Sequence, residues 1–479
     1  MRTPALLLAL LAPLMCLRAD DYEARVFAGA NGTKLPYRLL SPLHYDKTQK
    51  YPLVIFLHGA GERGDDNAAQ IKHGAPVFAK PENREKYPAF VFAPQCPKDQ
   101  TWSAVKGWTD AEAFQSEPKP AMQLVLEAIE ALAKEFSLDP NRLYVTGLSM
   151  GGYGTWDLLS REFDAIAAAA PVCGGGDPSK ITDAKNIAIW AFHGMEDPTV
   201  PVARSREMIA ALKAAGGAPL YSEYPYLKHD SWTTAYGEPE LLAWMFAQRR
   251  GSVVPWAKVA SPFAQPPSSL FPGEGTTQSG LWFRPLWQGR RTQWSKDQAQ
   301  DQGAVVFFGD SITQGWQSLA QDFPSFKVAN RGISGDTTRG LRYRMRDDVI
   351  ALKPKAVSML IGTNDLDQGT PPDVVAENLK AIVAELLKSN PKLPIVINKV
   401  MPRGARPSKF PDQIKTLNAL YDQAFAGNPQ ITFCDTWTLF DRGNGECNVT
   451  EFPDMLHPNA AGYAKWTAQL RPILEKVTK

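Results

Sequence analysis

The 479-residue sequence lacks an excess of either charge: Lys and Arg number 52 and Asp and Glu 50, and setting aside Arg2 and Arg18 in the opening segment leaves 50 of each. Without a basic surplus there is no footprint for a polyanion, so no nucleic-acid partner is expected. Histidine is scarce at six and cysteine at five, with no cluster at zinc spacing, and no glycine-rich loop follows the dinucleotide or phosphate patterns. Neither a metal nor an organic cofactor is therefore expected. Beyond the opening segment no apolar run approaches the ~20 residues that a helix needs to cross a bilayer, so no membrane partner is expected. What remains is ordinary globular material, 44% hydrophobic and 21% charged, which disfavours disorder and a coiled coil. At roughly 100–200 residues per domain, the length fits two or three domains.

Residues 1–19 stand apart. Arg2 precedes an apolar run of about 13 residues, Ala5 to Leu17, which is followed by Ala19, Asp20 and Asp21, the length and flanks of a secretory leader. Export with cleavage after Ala19 is expected, to a secreted or periplasmic location; Leu17 departs from the small-residue rule at that site, and a lipid anchor on Cys16 is the alternative. The mature chain keeps Cys96, Cys173, Cys434 and Cys447. Cys434 and Cys447, separated by a short loop, are the candidate disulfide. Cys96 and Cys173 follow strands expected three places apart, roughly 14 Å, too far to bridge, and read as buried thiols.

Between 251 and 280 the text becomes rich in Pro, Gly and Ser, a composition that resists both helix and central strand and makes a spacer. The chain is accordingly divided into 20–250 and 281–479. In the first half 53–57, 90–93, 143–146, 165–170 and 187–192 read as buried strands, with helices at 121–136 and around Leu241, Trp244 and Met245. In the second, 305–308, 357–361, 395–397 and 431–433 read as strands, and 373–388 as a helix with Val375, Leu379, Ile382, Val383 and Leu386 on one stripe. Alternation of this kind predicts a parallel sheet covered by helices on both faces in each half.

Gly147-Leu148-Ser149-Met150-Gly151 sits between the strand LYVT and a helical stretch. A turn that tight requires small flanking residues and leaves the serine hydroxyl exposed at the strand end. A serine hydroxyl needs a base in reach and an acid to orient that base. Downstream the half offers only His193 and His229. His193 lies in or at the end of a strand and reads as structural; His229, in a loop, is the candidate base. Asp197 is preferred over Glu196 as the acid. His44 and His73 carry no motif and read as surface residues. Upstream, His58-Gly59-Ala60-Gly61 ends another strand, and the amides of Ala60 and Met150 are the candidate oxyanion donors, each of which contributes ~3 kcal/mol in such sites. LHGAGERGDDN, GLSMGGYGTW, FHGMEDPTVP and KHDSW together resemble the α/β-hydrolase esterases of the feruloyl and acetylxylan esterase type, related to polyhydroxybutyrate depolymerases. The resemblance implies carboxylic ester hydrolysis. Only about 15 residues separate the strand ending at Pro171 from that starting near Ile187, where lids are commonly inserted, so an open site is expected.

In the second half Gly309-Asp310-Ser311 follows the strand VVFF, then come Asn330-Arg331-Gly332, Gly362-Thr363-Asn364-Asp365, and Asp454-Met455-Leu456-His457. These four blocks in this order resemble the SGNH, or GDSL-type, hydrolases, which implies a flavodoxin-like three-layer α/β domain. Ser311 would attack and His457, the half's only histidine, would take its proton. Asp454 would orient the ring, and the amides of Ser311 and Gly332 with the Asn364 side chain would hold the oxyanion; a turn-capping role is the alternative for Asn364. Asp310 and Asp365 read as structural. NRGISGDTTRGLRYRM and MPRGARP narrow the resemblance to SGNH acetylhydrolases. Trp316 reads as core, with a sugar-facing cleft as the alternative; Trp102 and Trp108 carry the same ambiguity. The sequence thus predicts an exported bifunctional serine esterase whose partner is an acylated polysaccharide or oligosaccharide such as xylan. The rivals are a lipid or polyester esterase, and a pairing of one esterase domain with a sugar-binding module.

Overall fold

The computed structural model describes residues 21–104, 107–109, 114–162, 164–224, 227–260, 263–265, 275, 277–278, 282–404 and 410–479. The predicted leader, Cys16, much of the predicted linker and Ala405 to Pro407 of the MPRGARP motif lie outside these. The described residues form two compact units, one built mainly from 21–259 and the other mainly from 260–479. Within the predicted linker a one-turn helix occupies Trp256–Val259.

The first sheet has eight strands: β1 (Glu23–Ala28), β2 (Lys34–Leu40), β3 (Tyr51–Leu57), β4 (Phe90–Pro94), β5 (Leu138–Leu148), β6 (Ile166–Val172), β7 (Ala188–Gly194) and β8 (Leu220–Tyr224), in the order β1-β2-β4-β3-β5-β6-β7-β8. β3, β6 and β7 are buried along their whole length, as both-face coverage of a parallel sheet requires. The expected all-parallel sheet needs correction at one edge, where β1 pairs antiparallel with β2 and β2 with β4. The cause is local. Gly29 N–H bonds to Thr33 O and Gly32 N–H to Gly29 O, closing a hairpin with Gly32 at φ +80°, and so short a connection can join only antiparallel strands. On one flank the helix Pro120–Glu135 buries Ala121, Leu124, Val125, Ala128 and Leu132, the i, i+3, i+4 pattern of an amphipathic helix.

The second sheet has five strands: β9 (Val305–Gly309), β10 (Val328–Gly332), β11 (Ala356–Leu360), β12 (Ile395–Asn398) and β13 (Ile431–Cys434), all parallel, in the order β10-β9-β11-β12-β13. Alternate residues of β9 feed opposite layers. Val306 and Phe308 pack with Leu379, Ile382 and Leu417 from one helical layer, and Val305 and Phe307 pack with Trp316, Trp466 and Leu470 from the other. This is a three-layer sandwich in which each phenylalanine contributes ~2–3 kcal/mol of burial. Trp316 is 2% exposed and stacks among Phe307, Phe323, Tyr463 and Trp466, so it belongs to the core and lines no cleft.

Cys96, Cys173, Cys434 and Cys447 are all free and buried. The candidate Cys434–Cys447 disulfide is therefore not formed: Cys434 ends β13 and Cys447 lies in a later loop, and a short sequence separation does not itself bring two Cβ atoms to bonding distance.

Two candidate active sites

Ser149 follows β5 directly and starts the turn into the helix Met150–Glu162. Its φ is +53°, a left-handed conformation that costs a non-glycine residue ~1–3 kcal/mol and holds only where the surroundings enforce it. They do here. The Ser149 N–H bonds to Val172 O at 2.9 Å on neighbouring β6. A Cβ on Gly151 would lie 1.8 Å from Leu57 O, and one on Gly147 would lie 2.4 Å from Gly151 O. Only glycine fits on either side of the turn.

The Ser149 Oγ lies 2.9 Å from His229 Nε2, and His229 Nδ1 lies 2.7 Å from Asp197 Oδ2. A carboxylate accepts, so Nδ1 carries the proton and Nε2 is left to accept from the serine hydroxyl. Burial would raise the Asp197 carboxyl, but bonds from His193 and His229 and the N–H groups of Val200 and Thr199 hold it well below the usual carboxylate range. Trp232 meets the His229 ring edge-on at 5.4 Å. His193 is fully buried, bonds through Nδ1 to Ser205 Oγ at 2.7 Å and through Nε2 to Val200 O at 2.9 Å, and lies 3.3 Å from Asp197 Oδ2. It braces the acid. Glu196 has no part in this chain of bonds. His44 is exposed, whereas His73 departs from the surface reading: it is half-buried between Trp232 and Glu62.

Ala60 opens a short 3-10 turn after β3 and Met150 is the first residue of its helix, positions whose N–H groups have no intrahelical acceptor. A Cβ on Gly59 would lie 2.9 Å from the Leu148 side chain, which shows how closely the Ala60 loop approaches the end of β5. His58 Nε2 accepts from the Cys96 N–H at 2.9 Å, so its Nδ1–H donates to Gly59 O at 2.6 Å, and Trp102 Nε1 donates to His58 O at 3.0 Å. Burial lowers His58 to about 4; it is a neutral clamp on the loop. Trp102 is core, while Trp108 is half-buried against Tyr153.

The second site is built at the carboxyl ends of β9, β10 and β11. In this strand order β9 is where the chain's winding reverses, and the crevice there is where ligands bind in open α/β sheets. Ser311 Oγ lies 2.8 Å from His457 Nε2, and His457 Nδ1 lies 2.6 Å from Asp454 Oδ2. Asp454 Oδ1 accepts the N–H groups of His457 and Leu456 at 2.7 and 3.0 Å. Partial burial opposes ionisation, but those N–H groups and the imidazole outweigh it and bring the carboxyl to about 2. Met455, at φ +60°, accepts the Gly404 N–H at 2.8 Å, pinning the loop. The two centres share a bonding pattern and differ in solvation: the Asp197 side chain is 0% exposed and that of Asp454 57%.

The predicted oxyanion donors are in three states. The Ser311 N–H opens the helix Ser311–Gln314, free of intrahelical bonding. Asn364 Nδ2 donates to Asp336 O at 2.9 Å, which leaves its second amide hydrogen available. The Gly332 N–H donates to Asn330 Oδ1 at 3.0 Å, a partner it would have to exchange to reach an oxyanion. Sequence reading gave Asn330 no role; its place two residues before the glycine was the signal for an Asx turn. Asp310 and Asp365 are structural: Asp310 caps Ile312 N–H, and Asp365 accepts from Thr338.

Residues 44–237 match the phospholipase/carboxylesterase family model and residues 307–465 match that of the GDSL-like lipase/acylhydrolase family. Both halves are hydrolase domains. The chain is 28% identical over 195 residues to the human platelet-activating factor acetylhydrolase IB subunit alpha1, a match covering 39% of this chain and 82% of that protein. A thermostable esterase of known structure is 42% identical, covering 48% of this chain and 64% of the other, just under two thirds of its length, with a TM-score of 0.46. A GDSL-like lipase from Bacteroides thetaiotaomicron is 29% identical, covering 39% of this chain and 97% of its own, with a TM-score of 0.35.

Proposed function

We propose that the protein is an exported bifunctional serine esterase acting on acylated plant polysaccharide, in which Ser149 removes feruloyl or acetyl groups and Ser311 removes acetyl groups. The observation that carries this reading is the pair of complete Ser–His–Asp hydrogen-bond chains, one per unit. At each, the imidazole accepts the serine proton as Oγ attacks the ester carbonyl, then returns it to the departing sugar oxygen; water repeats the sequence on the acyl-enzyme. The Ala60 and Met150 amides at one centre, and the Ser311 amide with the free Asn364 hydrogen at the other, face the oxygen on which charge develops. No metal is needed for either step.

Two further observations support a polymer. The segment between β6 and β7 contains only the 3-10 turn Ile181–Asn186, with no inserted lid, and His457 is 40% exposed at the side chain. The likeness of the second unit to an acetylhydrolase supports a small acyl group there. Tethering two esterases on one chain raises their effective concentration along one substrate. The test is release of ferulate and acetate from native xylan by the wild type, Ser149→Ala and Ser311→Ala. Each variant is expected to lose a different activity, and loss of all turnover in either variant refutes two independent centres. Rates that rise from acetate to long-chain p-nitrophenyl esters refute the polysaccharide reading in favour of a lipid.

A further inference from the structure

Cys173 lies directly after β6, outside every motif, with φ at +40°. Its thiol, one ring nitrogen of His229 and a carboxylate oxygen of Asp197 all lie within 4.8 Å of one another. Cys173 and the Asp197 side chain are fully buried, and His229 reaches solvent at 22% of its side chain. Beside the thiol sits Ser231, fully buried, its hydroxyl in hydrogen-bonding contact with the sulfur. A thiol, an imidazole and a carboxylate brought this close, from three separate strand ends, make a mixed sulfur, nitrogen and oxygen donor set.

We infer that Cys173, Asp197 and His229 form a binding site for a thiophilic divalent cation, Zn2+ or Cd2+, whose occupancy silences the Ser149 centre. One sulfur, one nitrogen and one oxygen ligand make the donor set that zinc takes in three-ligand sites with an open fourth position. With bonds of ~2.0 Å to N and O and ~2.3 Å to S, tetrahedral ligands stand roughly 3.3–3.5 Å apart, so the cluster needs adjustments of about 1 Å. Entry is past His229, the exposed member. Binding displaces the thiol proton to solvent and claims the carboxylate and imidazole that otherwise orient and receive the serine proton, while the fourth position takes water within reach of the Ser231 hydroxyl. Hard cations such as Mg2+ and Ca2+, which prefer six or more oxygen ligands, find no such set here.

The inhibitory consequence rests on the reading of Ser149 as nucleophile; the binding does not, and the experiment separates them. Calorimetric titration of the full chain with Zn2+, and with Cd2+ while following thiolate-to-metal ultraviolet absorption, is expected to show one site in the wild type and in Ser149→Ala. In Cys173→Ala and His229→Ala, binding is expected to weaken by about 100-fold or more, as loss of a ligand exceeds the 10–100-fold cost of losing an outer-sphere partner. Wild-type binding at micromolar metal should abolish Ser149-dependent ester hydrolysis and leave Ser311-dependent hydrolysis intact, and Cys173→Ala should hydrolyse equally with and without metal. Undiminished binding by Cys173→Ala, or no binding by a folded wild type, overturns the site. Binding by Ser149→Ala in a chain that shows no Ser149-dependent activity keeps the site and overturns the assignment of the nucleophile.

Discussion

Replacing Asp310 with Asn tests whether the floor of the second site stores a pH-dependent strain. Asp310 is fully buried; its Oδ1 accepts the Ile312 N–H at 3.0 Å and its Oδ2 has no partner. Burial, aided by Asp336 and Asp365, pushes its carboxyl up to about 7; burial likewise brings Asp365 to about 7 and Asp336 to about 6. A carboxyl raised in the folded state holds its proton there after the unfolded chain has released its own near 3.9. Stability is therefore greatest at low pH and falls as pH rises from about 4 through 7. For Asp310 a shift of about three units corresponds to about 4 kcal/mol in full, of which about 2–3 kcal/mol falls between pH 5 and 8. Asn keeps the acceptor for Ile312 and carries no charge. Amide exchange of the β9 and β11 peptides in increasing urea reads this unit's stability without relying on turnover. The wild type is expected to lose stability from pH 5 to 8, and Asp310→Asn to lose about 2 kcal/mol less. Parallel pH profiles for the two proteins would refute the buried-carboxyl argument.

Two further outcomes follow from the geometry. In Gly151→Ala the new methyl meets the Leu57 carbonyl oxygen at 1.8 Å, so the turn cannot close; Ser149-dependent hydrolysis should fall by about 100-fold or more with Ser311-dependent hydrolysis retained, and an unchanged rate of the first reaction sinks the steric account. Because all four described cysteines are free, dithiothreitol should leave the unfolding temperatures where they are; a fall of several degrees, as when a disulfide worth about 2–4 kcal/mol is cut, would contradict the structure.

The candidate reacting groups could be proposed from the sequence because they sit in short contiguous signals. Ser149 and Ser311 each follow an apolar strand and stand in a glycine-flanked turn, and His457 had no competitor in its half. The central strands were legible from their unbroken apolar runs. Strands with little apolar text escaped: β10, Val328–Gly332, ends in Asn-Arg-Gly, β8 reads LYSEY, and β1 is exposed along much of its length. Their place is set by pairing with neighbours, which periodicity does not encode. For the same reason neither Cys173 beside residues 197 and 229 nor the buried trio Asp310, Asp336 and Asp365 could be read beforehand: each is assembled from separate strand ends, and only the folded sheet brings them together.

The bond between the Gly332 amide and Asn330 bears on how selectively the second centre responds to charge. A neutral ester oxygen competes poorly with an acceptor already in place, whereas an oxygen carrying a full negative charge wins that exchange. If Ser311 is the attacking group, the amide switches partner only as the tetrahedral species forms, and its hydrogen bond contributes nothing to holding unreacted ester. Such a donor lowers the barrier without deepening the well before it.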